Sequence, residues 1–140
     1  MRLVLDTCVL VAAFRSQNGA SRLLFERLVE GRFTAVATPA CFLEYEEVLA
    51  RPEQMGIHGY TLQQIDRFLD NLTLYTELTQ VRYSYRPQLR DPDDEFILEA
   101  AINGSADAIV TFNIADFLPA AKDFGMEVLQ PGRIIRERLG

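Results

Sequence analysis

The chain has 140 residues, 49% of them apolar and 24% charged, with a net charge of −6 and a pI near 4.8. A domain of this length buries roughly 68–70% of the surface its unfolded chain exposes, so a core forms without disulfides, and the composition excludes disorder. The acidic balance excludes binding nucleic acid through a broadly positive surface and fits acids gathered around a metal, or a basic partner.

Two isolated cysteines, Cys8 and Cys41, show no zinc-site spacing and fit a reducing, cytoplasmic setting. The apolar opening run is interrupted by Asp6 and followed by no small-residue cleavage site, so it does not read as a signal peptide. No stretch approaches the ~20 apolar residues that span a bilayer.

In chain order, Arg2 to Asp6 is a continuous apolar run ending in an acid, the pattern of a strand buried on both faces. Val9 to Phe14 forms a short helical turn. Ala20 to Glu30 forms a helix with Leu23, Leu24, Leu28 and Val29 on its apolar face and Gly31 as its stop. Phe33 to Ala37 is a second strand. Thr38 caps the next helix, with Pro39 in its first position, and that helix runs to about Ala50. A loop marked by Pro52, Gly56 and Gly59 follows. Thr61 to Leu72 is a helix with Leu62, Ile65, Phe68, Leu69 and Leu72 inward, and Leu74 to Val81 is a weak strand. The segment from Asp91 to Asp94 opens a helix ending near Asn103 and Gly104. A strand at Ala108 to Thr111, a helix at Ile114 to Phe124, a strand at Met126 to Leu129 and a helix begun by Pro131 complete the chain. Strands alternate with helices throughout, which predicts one parallel sheet with helices on both faces. No repeat or linker divides it, so residues 1–140 read as one domain.

Ligands of open α/β sheets sit beyond the carboxyl ends of the strands. Asp6 follows the first strand directly, and Asn113 and Asp116 follow the strand ending at Thr111. Glu44 lies in the helix after the second strand, while Asp91, Asp93 and Asp94 lie where a helix begins. All can reach one end of the sheet. Carboxylates sharing a crevice require a cation or raised pKa values, and hard oxygen ligands select Mg²⁺ or Mn²⁺. Such an ion lowers the pKa of a bound water and neutralises charge on a phosphodiester.

These residues resemble a known family. Leu3 to Thr7, followed by Val9 and Leu10, is similar to the opening motif of PIN-domain nucleases. Thr38 and Pro39 with Glu44, Val48 and Leu49 resemble the helix that brings the second acid. Arg90 to Glu95, with Ala100 and Ala101, resembles the third-acid motif of the stand-alone bacterial branch. Asp107 to Phe117 resembles the final motif, and Pro131 the start of the closing helix. The resemblance implies a three-layer α/β/α sandwich with a central, mainly parallel sheet, and Mg²⁺ or Mn²⁺ as cofactor. It implies cleavage of single-stranded or structured RNA, often as the toxin of a toxin–antitoxin pair. The implied partners are RNA, a small antitoxin protein and further copies of the chain, and no membrane.

By position, Asp6, Glu44 and Asp94 are the first three acids, Asp116 supplies the last charge, and Thr7, Asp91, Thr111 and Asn113 support them. Two positions depart from the family pattern. Cys8 stands where Asn is usual, and Asn113 where the fourth acid is usual. Cys8 reads as a small buried residue rather than a thiolate ligand, and His58, between loop glycines, as non-catalytic. Arg82, Arg86 and Arg90, with Tyr83 and Tyr85, form either an RNA-facing strip or an ordinary connector.

A phosphatase with an aspartate nucleophile would carry a second Asp at position 8, and a Rossmann domain a glycine-rich turn after the first strand. Neither is present. The competing reading is a PIN-like binding or scaffold module without catalysis.

Overall fold

The structure is a computed structural model. It describes residues 1–84, 89 and 91–140, with the side chains of Pro92 and Asp93 outside that description. Its centre is a five-stranded parallel sheet: β1 (Arg2–Leu5), β2 (Thr34–Ala37), β3 (Thr76–Leu78), β4 (Ala108–Val110) and β5 (Glu127–Leu129). The spatial order is β3-β2-β1-β4-β5. The chain therefore leaves β1 towards β2 and β3, then crosses back to β4 and β5, and the strand order reverses between β1 and β4. Those central strands are apolar because helices cover both faces, and Leu3, Val4, Ile109 and Val110 are fully buried.

Helices α1 (Thr7–Arg15), α2 (Ala20–Val29), α3 (Pro39–Leu49), α4 (Pro52–His58), α5 (Leu62–Leu74), α6 (Pro92–Asn103), α7 (Ile114–Asp123) and α8 (Pro131–Ile134) complete a three-layer α/β/α sandwich, ending in a π-helical turn at Ile135–Leu139. α6 packs across β1, β2 and β4, and α1 against α2 and α3. No helix among the described residues is long and apolar enough to cross a membrane.

Local chemistry sets the boundaries. Thr38 caps α3 by accepting from the Cys41 amide, with Pro39 at the first position. Thr61 and Gln64 form a reciprocal capping box at the start of α5.

Three expectations are corrected. The segment around Pro52 and Gly56 is the helix α4 rather than a loop. Pro52 sits in its first turn, where a missing N–H costs nothing, and Gly59 ends it at φ +74°. Val29 and Leu62 point to solvent, while Ser21 and Phe25 join Leu24 and Leu28 on the buried side of α2. The turn after β1 is a nine-residue helix beginning at Thr7, because Asp6 caps it.

Gly104 marks a close approach. A Cβ there would lie 2.1 Å from Val36 Cγ1 and 2.9 Å from the Ala100 carbonyl oxygen. Val36 is a buried, β-branched strand residue with no room to turn. Gly104→Ala is expected to cost about 1–3 kcal/mol of unfolding free energy, read from the urea midpoint; an unchanged midpoint would contradict the contact.

Candidate active site

The register of the central strands builds the site. Leu5 pairs with Val110 across β1 and β4, so the next residues, Asp6 and Thr111, stand side by side at the carboxyl edge of the sheet. The Asp6 amide continues the ladder by donating to the Val110 carbonyl at 3.0 Å. Asp6 is 6% exposed and Thr111 is fully buried. Thr111 Oγ1 donates to Asp6 Oδ2 at 2.7 Å, the Thr7 amide donates to Oδ1 at 2.8 Å, and Cys8 Sγ donates to Oδ2 at 3.3 Å. The Asn113 amide in turn donates to Thr111 Oγ1 at 3.0 Å, so this hydroxyl links the start of α7 to the acid.

Electrostatics follow from that placement. Burial raises the Asp6 pKa above the usual carboxylate value; the bonds from Thr111, Cys8 and Thr7 oppose the shift, and the charge of Asp116 adds to it. No salt bridge to Asp6 occurs among the described residues. Burial also lifts the Cys8 thiol to about 11, with the Asp6 charge next, so the sulfur is a protonated donor at neutral pH. Cys8 is thus half-buried rather than fully buried, and its role as a donor to the acid was not anticipated.

Asp116 links two groups. It acts electrostatically on Asp6, and with Asp91, Asp94, Leu89, Ala115 and Pro119 it lines a cleft of about 640 Å³ between α6 and α7. Pro119 has no amide hydrogen, so the Ala115 carbonyl one turn earlier loses its helical partner beside these carboxylates. Glu95, next to Asp94, is buried and accepts the Leu89 amide at 2.7 Å, tying the segment before α6 to that helix. Glu44 is half-buried on α3. The same helix is pinned to the site by Tyr45, whose hydroxyl donates to the Leu5 carbonyl at 2.5 Å, one residue before Asp6.

The structure therefore joins Asp6, Thr7, Thr111 and Asn113 directly, with Asp116 in electrostatic reach, and groups Asp91 and Asp94 with Asp116. Among the described residues, no three His, Cys, Asp or Glu side chains converge closely enough to hold a metal ion as they stand. The donor chemistry nevertheless fits one: among the described residues Asp6 is a buried carboxylate held by neutral donors, with another acid acting on it, and such a group is stabilised by a cation.

Arg82 lies elsewhere. Its amide and that of Tyr83 donate to Asn103 Oδ1, at the end of α6. The adjoining Gly104 carbonyl binds Arg2, at the opposite end of β1 from Asp6. Arg86 and Arg90, with Tyr85, fall outside the described residues. His58 is structural. Its Nδ1 accepts the Tyr60 amide, Nε2 faces the Leu49 carbonyl at 3.0 Å, and the ring packs against Phe14 and Tyr60.

The fold is a parallel α/β sheet with the buried acid Asp6 at its reversal point. The PIN domain family profile matches residues 2–115, and the chain belongs to that family. Two solved structures share the fold. One is of VapBC2 from Rickettsia felis bound to a DNA fragment from their promoter, with a TM-score of 0.63 and 19% identity over 93% of this chain and 98% of that one. The other is of VapBC-1 from nontypeable Haemophilus influenzae, with a TM-score of 0.61 and 13% identity over 94% of this chain and 99% of that one. No curated protein matches the chain significantly by sequence.

The raised Asp6 pKa has a sign. The folded state holds the proton more tightly than the unfolded chain, so stability falls as pH rises from the ordinary value near 3.8 through the raised one, and the ionised acid is a net cost above it. Asp6→Asn is therefore expected to melt above the parent at neutral pH in EDTA. Differential scanning fluorimetry that puts the variant below the parent would show that the bonds from Thr111, Cys8 and Thr7 outweigh burial.

Proposed function

We propose that the chain is a divalent-metal-dependent ribonuclease of the PIN class, folded as one domain over residues 1–140, that cleaves single-stranded or structured RNA. The observation that carries this reading is the buried Asp6 carboxylate, held by Thr111, Cys8 and Thr7 and acted on by Asp116 at the reversal point of the sheet. Asp6, Glu44, Asp94 and Asp116 would hold Mg²⁺ or Mn²⁺, which when bound supplies an acidified water and neutralises charge on the phosphodiester. The protein's share is positional. Thr111 and Thr7 fix the orientation of the Asp6 carboxylate, and Tyr45 sets the distance of α3 from the end of β1. Asn113, at the start of α7, offers a neutral oxygen where an acid is usual.

The toxin role is part of the proposal. It rests on the family, on fold neighbours described as VapBC, and on a net charge of −6 that suits a small basic antitoxin. A cytoplasmic setting and a homodimer or higher homo-oligomer belong to the same reading.

One observation favours the second reading, a binding or scaffold module. The Cys8 thiol donates to Asp6 Oδ2, so the acid is partly satisfied without an ion. Calorimetric titration with Mn²⁺ separates the two, since only the nuclease requires binding.

Cleavage of a labelled single-stranded RNA, with Mn²⁺ and with EDTA, tests the function. Asp94→Asn keeps size and polarity but removes charge from the metal site, and is expected to lower the rate by about 100-fold or more, on the order of 3 kcal/mol of barrier. Asp116→Asn is expected to cost less, because Asn113 already contributes an oxygen, and Asn113→Asp to keep or raise the rate, since metal affinity grows with ligand charge. Cleavage that survives EDTA, or full activity in Asp94→Asn, would overturn the mechanism.

A further inference from the structure

Phe112 is the exception among nine phenylalanines. The other eight are buried or half-buried, whereas Phe112 is 43% exposed. It also occupies a particular place, between Thr111, which holds Asp6, and Asn113, which opens α7. Its backbone is fixed on both sides. The Thr111 amide donates to the Leu129 carbonyl at 3.0 Å, and the Asn113 amide to Thr111 Oγ1 at 3.0 Å. The Phe112 amide itself lies near enough to the Cys8 sulfur to act on it. The ring is therefore presented in part to solvent from a segment tied into the carboxyl edge of the sheet, and it lies outside the hydrophobic core.

We propose that Phe112 is a stacking platform for an unpaired nucleobase of the RNA beside the acid cluster. The proposal rests on the ribonuclease reading and adds to it a contact that holds substrate by a base rather than by phosphate. The charge balance is the reason to expect one. A protein of net charge −6 gains little from long-range attraction to a polyanion, so part of the affinity has to come from an uncharged contact. Aromatic stacking provides that, tolerates any base because each has a π-face, and selects single strands because a paired base is already stacked. A rigid backbone presents the ring without an ordering cost at binding.

The test uses a short single-stranded RNA with 2-aminopurine, whose fluorescence falls on stacking, placed at successive positions. It is mixed with the Mn²⁺-loaded protein by stopped flow, so that stacking is read before cleavage. The parent is expected to quench the probe strongly at one position. Phe112→Ala is expected to lose the quench and to raise KM about tenfold, with a smaller change in kcat, and Phe112→Trp to restore both. The melting temperature of Phe112→Ala should stay near the parent's, because the ring lies outside the buried core. If the parent cleaves RNA while Phe112→Ala keeps its quench and KM, stacking is overturned and the ribonuclease reading stands. A parent that neither quenches the probe nor cleaves overturns both. An Ala variant that handles RNA normally but no longer binds a basic protein partner reassigns the ring to a protein interface and overturns the proposal.

Discussion

The site depends on the pairing of β1 with β4. These strands are three and four residues long, and their register brings Asp6 and Thr111 to the same level at the sheet edge. A slip of one residue would turn Asp6 to the other face and separate it from the hydroxyl that holds it. Short strands carry little pairing energy of their own, so the apolar residues beneath, Leu3, Val4, Ile109 and Val110, fix the register by being buried on both faces. The catalytic reading thus rests on an ordinary packing constraint a few ångströms below the acid.

Holding that acid is costly in the absence of an ion. Asp6 caps α1, which places it at the positive end of a helix and gives it the Thr7 amide. Those contributions do not cancel the desolvation of a buried carboxylate, and the pKa stays raised. Functional sites commonly keep such an uncompensated group, because the strain is relieved when the ligand arrives. Cys8 moderates the cost here. A protonated thiol is a weak donor, so it eases the buried charge without competing strongly for it, and it cannot add a second negative charge beside the first.

Much of this was legible in the sequence, for identifiable reasons. The apolar run ending in Asp6, the Thr38 cap with Pro39 and the alternation of strands with helices are local signals, and each formed as read. The helix α4 was missed because Pro52 and Gly59 punctuate a short helix as readily as a loop, and Gly56 inside it pointed the wrong way. Val29 and Leu62 were assigned inward because the hydrophobic period leaves the edge of a helical stripe undecided; only the neighbouring helices settle it. The partnership of Asp6 with Thr111 lay beyond reach. It spans 105 residues of sequence and follows from the strand order, which places β4 rather than β2 on that side of β1. The same holds for Tyr45, which reads as a core aromatic until its hydroxyl is seen on the Leu5 carbonyl.

The arrangement divides the labour between two kinds of support. Asp6, Thr111 and Phe112 belong to the sheet edge, where backbone bonds to β4 and β5 hold positions tightly. Asp91 and Asp94 belong to the start of α6, and Asp116 to the first turn of α7. Asp116 takes part in both, acting on Asp6 while lining the cleft with Asp91 and Asp94. Its separation from Asn113 by a single helical turn lets the two share the end of β4. A chain with Asn at position 113 thus still has a negative charge, that of Asp116, acting on Asp6.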